Sequence, residues 1–128
     1  MKIIIAGSRS FTDFDFLKTR LDDLLVDSLA TEIISGGARG VDQMGERYAR
    51  MNHIGVRQFP AEWDRLGKAA GYARNKQMAI YAAEGSTKLN PGVLIAFWDM
   101  ESKGTEHMIN LARKSGLKVE IIDIRRGR

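Results

Sequence analysis

Three glycine-containing segments of this chain carry the residue types that hold a phosphate. The sharpest is Ser35-Gly36-Gly37-Ala38-Arg39-Gly40-Val41-Asp42. An apolar run feeds a glycine turn and then a helical pattern, and the first amides of such a helix attract anions. Gly36, Gly37, Ala38 and Gly40 would form the turn, and Arg39 offers a guanidinium fork for bidentate contact. The same glycines also suit a plain tight turn. The spacing is neither the usual dinucleotide fingerprint nor a Walker A loop. Elsewhere Gly67-Lys68 is followed by Ala69, so no lysine–hydroxyl pair stands ready for Mg²⁺.

Ser102-Lys103-Gly104-Thr105 is a second helix start, readable as an anion site or as a serine-capped helix. Gly7-Ser8-Arg9 follows the first apolar run directly. Arg74 and Asn75 stand early in a later helix with Gly67 and Gly71 upstream; read alone, Arg74 also fits a solvated surface. Trp63 and Trp98 suit the wall of a base pocket or an ordinary core. Asp42 and Glu46 lie one helical turn apart, but two carboxylates without a third partner make no metal site. His53 and His107 lack ligand spacing. No metal or cofactor is therefore expected, and no catalytic residue is assigned.

These residues need a frame that brings them to one place. Lys2 to Ala6 reads as a β-branched strand. Leu17, Leu21, Leu24, Leu25 and Leu29 follow helical spacing, with Thr12 and Asp15 as a capping box. Further strands are predicted over Glu32 to Ser35, Ile54 to Phe59, Val93 to Trp98 and Leu117 to Ile124. Helices are predicted around Val41 to Met51, Lys68 to Tyr81 and Thr105 to Ala112, the last stopped by Gly116. Five strands alternating with four helices predict an α/β fold, a Rossmann-like three-layer sandwich on a mainly parallel five-stranded sheet. Ligands of open parallel sheets bind beyond the carboxyl ends of the strands. All the candidate loops leave those ends.

Length and composition narrow the partners. The 128 residues predict one domain over 1–124 and a basic tail over 125–128. Net charge is +4, but Arg125, Arg126 and Arg128 carry three of those charges, leaving 17 basic against 16 acidic residues. The high pI is thus a property of the tail, and weak support for nucleic acid. The longest apolar run, Val93 to Trp98, is too short to span a bilayer, so no membrane partner is expected. With no cysteine and no signal-peptide pattern, a cytoplasmic location is expected.

Six segments in register resemble a known family. They are GSRS at 7–10, SGGARGVD at 35–42, FPAEW at 59–63, GKAAGYARNKQMA at 67–79, IAFWD at 95–99 and SKGT at 102–105. They resemble the YspA-like, YpsA-related branch of the SLOG superfamily, which also holds the LOG phosphoribohydrolases and DprA. The resemblance runs from Lys2 to about Val119. It implies a Rossmann-like fold and a phosphate-bearing nucleotide or nucleotide derivative as ligand, bound by a sensor or a processing protein. It also implies a homo-oligomer.

Two relatives supply alternatives. LOG enzymes release a base from a nucleoside monophosphate with a PGGxGTxxE loop and an arginine in an RKxxM-like helix. Arg74 matches that arginine, Asn75 replaces the lysine, and Gly104-Thr105 matches the loop, but the glutamate position falls on Met108. Glu106 lies about 200° away around the helix and does not substitute. N-glycosidic hydrolysis, the reaction expected of an enzyme on this plan, is therefore disfavoured. DprA shares segments similar to Gly7-Ser8-Arg9 and to 35–42, and implies single-stranded nucleic-acid binding. A pure interaction module, its glycine loops structural, is the third alternative.

Overall fold

The computed structural model describes residues 1–26, 28 and 30–125. Leu29 of the first helical stripe and residues 126–128 of the basic tail lie outside the described residues. Five strands, β1 (Lys2–Gly7), β2 (Glu32–Ser35), β3 (Gly55–Gln58), β4 (Val93–Trp98) and β5 (Lys118–Asp123), form one sheet in the order β3-β2-β1-β4-β5. Every pairing is parallel, with Ile4 opposite Ile34 on one side and Leu94 on the other. A central parallel strand is covered on both faces, which is why β1 and β4 are almost continuously apolar.

Strand alternation sorts this apolar material into two cores. Ile3, Ile5, Ile33 and Phe97 face α1 (Phe14–Leu25) and α2 (Val41–Met51), meeting Leu17, Leu21 and Tyr48. Ile4, Ala6, Ile34 and Leu94 face α4 (Ala70–Ala83) and α5 (Lys103–Lys114), meeting Met78, Ile109 and Ala112. The result is a Rossmann-like α/β three-layer sandwich. Among the described residues no helix is long and apolar enough to cross a membrane.

Some boundaries differ from the sequence reading, each for a local reason. The first helix is capped by Asp13, whose carboxylate accepts the Phe16 amide at 3.0 Å, and not by Thr12. The segment before α4 forms a one-turn helix, α3 (Trp63–Leu66), and then a 3₁₀ turn over Gly67–Ala69, both too short to show a period. The helix predicted from Lys68 therefore starts at Ala70. Edge strand β3 is paired only from Gly55 to Gln58, matching the four residues of its single neighbour β2. Gly116 does end α5: its amide bonds to Arg113 and that of Leu117 to Ala112, the pattern of a Schellman stop.

The chain order sets the location of the site. From β1 the chain builds outward through β2 to β3, then returns to the other side of β1 for β4 and β5. The connections therefore diverge between the carboxyl ends of β1 and β4, leaving a crevice there.

Candidate functional site

A cavity of about 420 Å³ occupies that crevice. Its wall is assembled from four loops and helix starts: Ser8 and Arg9 after β1, Asp42 at the start of α2, Arg74 and Asn75 on α4, and Ser102, Gly104 and Thr105 after β4. Gly7 and Ala38 complete the sequence-derived residues that line it. Trp63 joins them, half exposed, with the Arg9 guanidinium 5.4 Å from its ring centre. Trp98 does not reach the cavity; it packs against the apolar core and donates its indole N–H to the Ser102 carbonyl at 3.1 Å.

The glycine loop is braced by its own neighbours. The Gly37 amide donates to Ser35 Oγ at 3.0 Å, the Ala38 amide to Asp42 Oδ2 at 3.2 Å, and the Val41 amide to the Ser8 carbonyl at 3.2 Å. The last bond needs Gly40, whose φ is +74° and whose absent Cβ would stand 2.4 Å from the Ser8 oxygen. Gly40 thus docks the β2–α2 loop onto the β1–α1 loop and does not line this cavity. The other strand-to-helix junction is open. Ser102 caps α5 without a side-chain bond to its amides, since its hydroxyl donates to Asp99 Oδ2 at 2.7 Å. Among the described residues the Lys103, Gly104 and Thr105 amides have no partner, and a Cβ at Gly104 would meet nothing within 4 Å. These are free donors at the positive end of a twelve-residue helix.

Arg74 is buried, not a surface charge. Its Nη1 donates to the Gly36 carbonyl at 2.6 Å and its Nε to Asn75 Oδ1 at 3.1 Å. Gly36 is required for this approach, because a Cβ there would lie 2.3 Å from Nη1 and 2.8 Å from Asp42 Oδ2. Burial lowers the Arg74 pKa, while the charge of Asp42 opposes that shift. Asp42 is buried too. Desolvation raises its pKa to about 6, against the pull of Arg74 and the Ala38 amide. A carboxyl poised near neutrality on the wall of a cavity is the most perturbed acid of the site.

The remaining polar groups are orienting partners. Asn75 Nδ2 donates to the Gly104 carbonyl and to His107 Nδ1, both at 3.2 Å, which ties α4 to the start of α5. Burial lowers the His107 pKa, and Lys114 adds to the effect, in keeping with a neutral ring that accepts from Asn75. Asp99 accepts the Glu101 and Ser102 amides and the Ser102 hydroxyl; burial opposes them, yet its pKa stays below the ordinary carboxylate value. Glu46 accepts Ser35 Oγ at 2.6 Å and Gln58 Nε2 at 3.0 Å, so it braces β2 and β3 against α2. Met108 is buried on the cavity floor, whereas Glu106 is exposed and does not line it. Among the described residues no group of three His, Cys, Asp or Glu side chains could hold a metal ion.

Sequence reasoning missed Tyr72, which lines the cavity and meets the His107 ring at 4.4 Å between centres. No local signal marked it, because its role depends on α5 packing beside α4. Gly36, Gly37 and Arg39 lie outside this cavity, in an adjoining cleft.

The family described as YspA, cpYpsA-related SLOG matches residues 1–66. The gene 61 protein of Mycobacterium phage D29 is 33% identical over 128 aligned residues, covering 92% of this chain and 93% of that protein. No solved structure gives a significant match.

Proposed function

The chain belongs to the YspA, cpYpsA-related SLOG family, and from that premise we propose that it binds a phosphate-bearing nucleotide or nucleotide derivative at the carboxyl edge of its sheet. Family membership points to a nucleotide-related ligand at a coarse level. The observation that carries the finer reading is the 420 Å³ cavity in which free helix amides, a buried arginine and an aromatic wall converge. Its size suits a small ligand. In this reading the phosphate sits on the unpaired amides of α5 with Ser102 and Thr105 beside it. Trp63 and Tyr72 flank the base, and Asp42 accepts from a sugar hydroxyl.

Base release in the LOG manner is not part of the proposal. Met108 supplies no carboxylate, Glu106 faces away from the cavity, and Asp99 is committed to three hydrogen bonds. Sensing or carriage of the ligand fits these residues better than hydrolysis.

A thermal-shift screen of mononucleotides, cyclic nucleotides and ADP-ribose-like compounds should find at least one stabiliser, since a ligand of the native state raises its melting temperature. Stabilisation by single-stranded oligomers alone, lost steeply with added salt, would replace this reading with nucleic-acid binding. We also propose a homodimer or larger assembly. Light scattering that gives a monomer mass at both micromolar and near-millimolar concentration would remove that part.

A further inference from the structure

A second cleft of about 300 Å³ adjoins the first, on the β2 and β3 side of the sheet edge. Arg9, Trp63 and Arg74 line both cavities, so the two share a wall. Their chemistry differs. The larger cavity carries the carboxylates Asp42 and Asp99 among its lining residues. The cleft carries no acidic residue and is lined by three arginines, Arg9, Arg39 and Arg74, together with Gln43 and Gln58.

Three like charges around a small concavity repel one another unless something neutralises them. Within this chain the Asp42 carboxylate offsets part of the Arg74 and Arg9 charge from the neighbouring cavity, and no acidic residue lines the cleft itself. Among the described residues neither Arg9 nor Arg39 forms an ion pair, and both are exposed. Arg74 spends Nη1 and Nε on neighbouring oxygens, while its Nη2 has no hydrogen-bond partner among the described residues. Gly36 and Gly37 keep the cleft free of side chains where the backbone forms its floor. An anion with several acceptor oxygens matches such a set of guanidinium donors.

We propose that this arginine cleft is a second anion subsite of the same ligand, which therefore carries two phosphate groups separated by its nucleoside. The inference rests on the nucleotide reading of the larger cavity and adds the ligand class. A nucleoside 3′,5′-bisphosphate and a 5′-phosphorylated dinucleotide share this chemistry. Adjacent phosphates, as in a nucleoside diphosphate, would place both charges in one subsite and leave the other without an anion.

Calorimetric titration of the full chain with the four nucleoside 5′-monophosphates and the matching 3′,5′-bisphosphates tests it. For the base that binds best, the bisphosphate should bind at least about tenfold tighter than the monophosphate, the scale of a charge-assisted contact. In Arg39→Ala, an exposed position without hydrogen bonds among the described residues, that ratio should fall by about fivefold or more. Equal affinities in the wild type, or a ratio unchanged in the variant, would overturn the second subsite while leaving the nucleotide site standing. Binding of neither series would overturn both. The matching 5′-phosphorylated dinucleotide separates the sources: affinity above that of the bisphosphate identifies a nucleic-acid end, and affinity below it identifies a free nucleotide.

Discussion

Arg74→Ala is expected to destabilise the folded protein by on the order of 3 kcal/mol, in addition to weakening its ligand. The loss has two sources. Truncation leaves the Gly36 carbonyl and Asn75 Oδ1 without their buried donor. It also removes the positive charge that partly offsets the burial of Asp42. Burial and the bond to Gly36 give Arg74 a structural role beside its place on the cavity wall. Urea unfolding of the two proteins at pH 7.5 measures the difference. Asp42→Asn in the Arg74→Ala background should restore part of the loss, because the uncompensated charge disappears. A midpoint for Arg74→Ala equal to that of the wild type would return this side chain to a surface role.

How far the sequence led depends on the length scale of each signal. The all-parallel sheet was legible because Ile3-Ile4-Ile5 and Val93 to Phe97 are apolar on both faces, and such runs belong to covered central strands. The long helices announced themselves through stripes such as Val41, Met44 and Tyr48. Helix α3 did not, since four residues contain no period. At the site, the loops were legible as glycine turns, but the partners of their amides were not. The segment from Ser35 to Asp42 reads as an anion loop until Ser35 Oγ, Asp42 Oδ2 and the Ser8 carbonyl are found on the N–H groups of Gly37, Ala38 and Val41. Those bonds are long-range or side-chain events that spacing does not encode. The plainer serine-glycine-threonine start of α5 is the junction left with open donors. Tyr72 and the buried bond of Arg74 likewise depend on which helices become neighbours.

Asp42→Asn should stabilise the unliganded protein at pH 8 and do nothing at pH 3.5. The folded-state pKa of Asp42 is raised to about 6 from the ordinary 3.8, with desolvation the largest cause. The folded protein therefore holds this proton more tightly than the unfolded chain does. Its contribution to stability is fully present below pH 3.8, falls as the pH rises, and is lost once the pH passes about 6. A rise from 3.8 to about 6 corresponds to about 3 kcal/mol of cost for the charged form, and several degrees in melting temperature for a chain of this size. Asparagine is neutral throughout, and its side-chain oxygen still accepts the Ala38 amide that Asp42 accepts at 3.2 Å. The gain of the variant over wild type should therefore grow between pH 4 and pH 6 and stay level above. A gain independent of pH would show that shape, not charge, limits this position, and no gain at pH 8 would show that the carboxylate is solvated. The same charge is linked to the ligand. A phosphate entering the cavity adds negative potential beside Asp42 and raises its pKa further, so binding near neutral pH should take up a fraction of a proton. Titration in buffers of different ionisation enthalpy reads that uptake directly. After correction for the phosphate's own titration, it should vanish in Asp42→Asn. Asp42 is thus expected to cost stability at neutral pH while lining the cavity proposed for the ligand, and the two titrations test whether occupancy and protonation are coupled there.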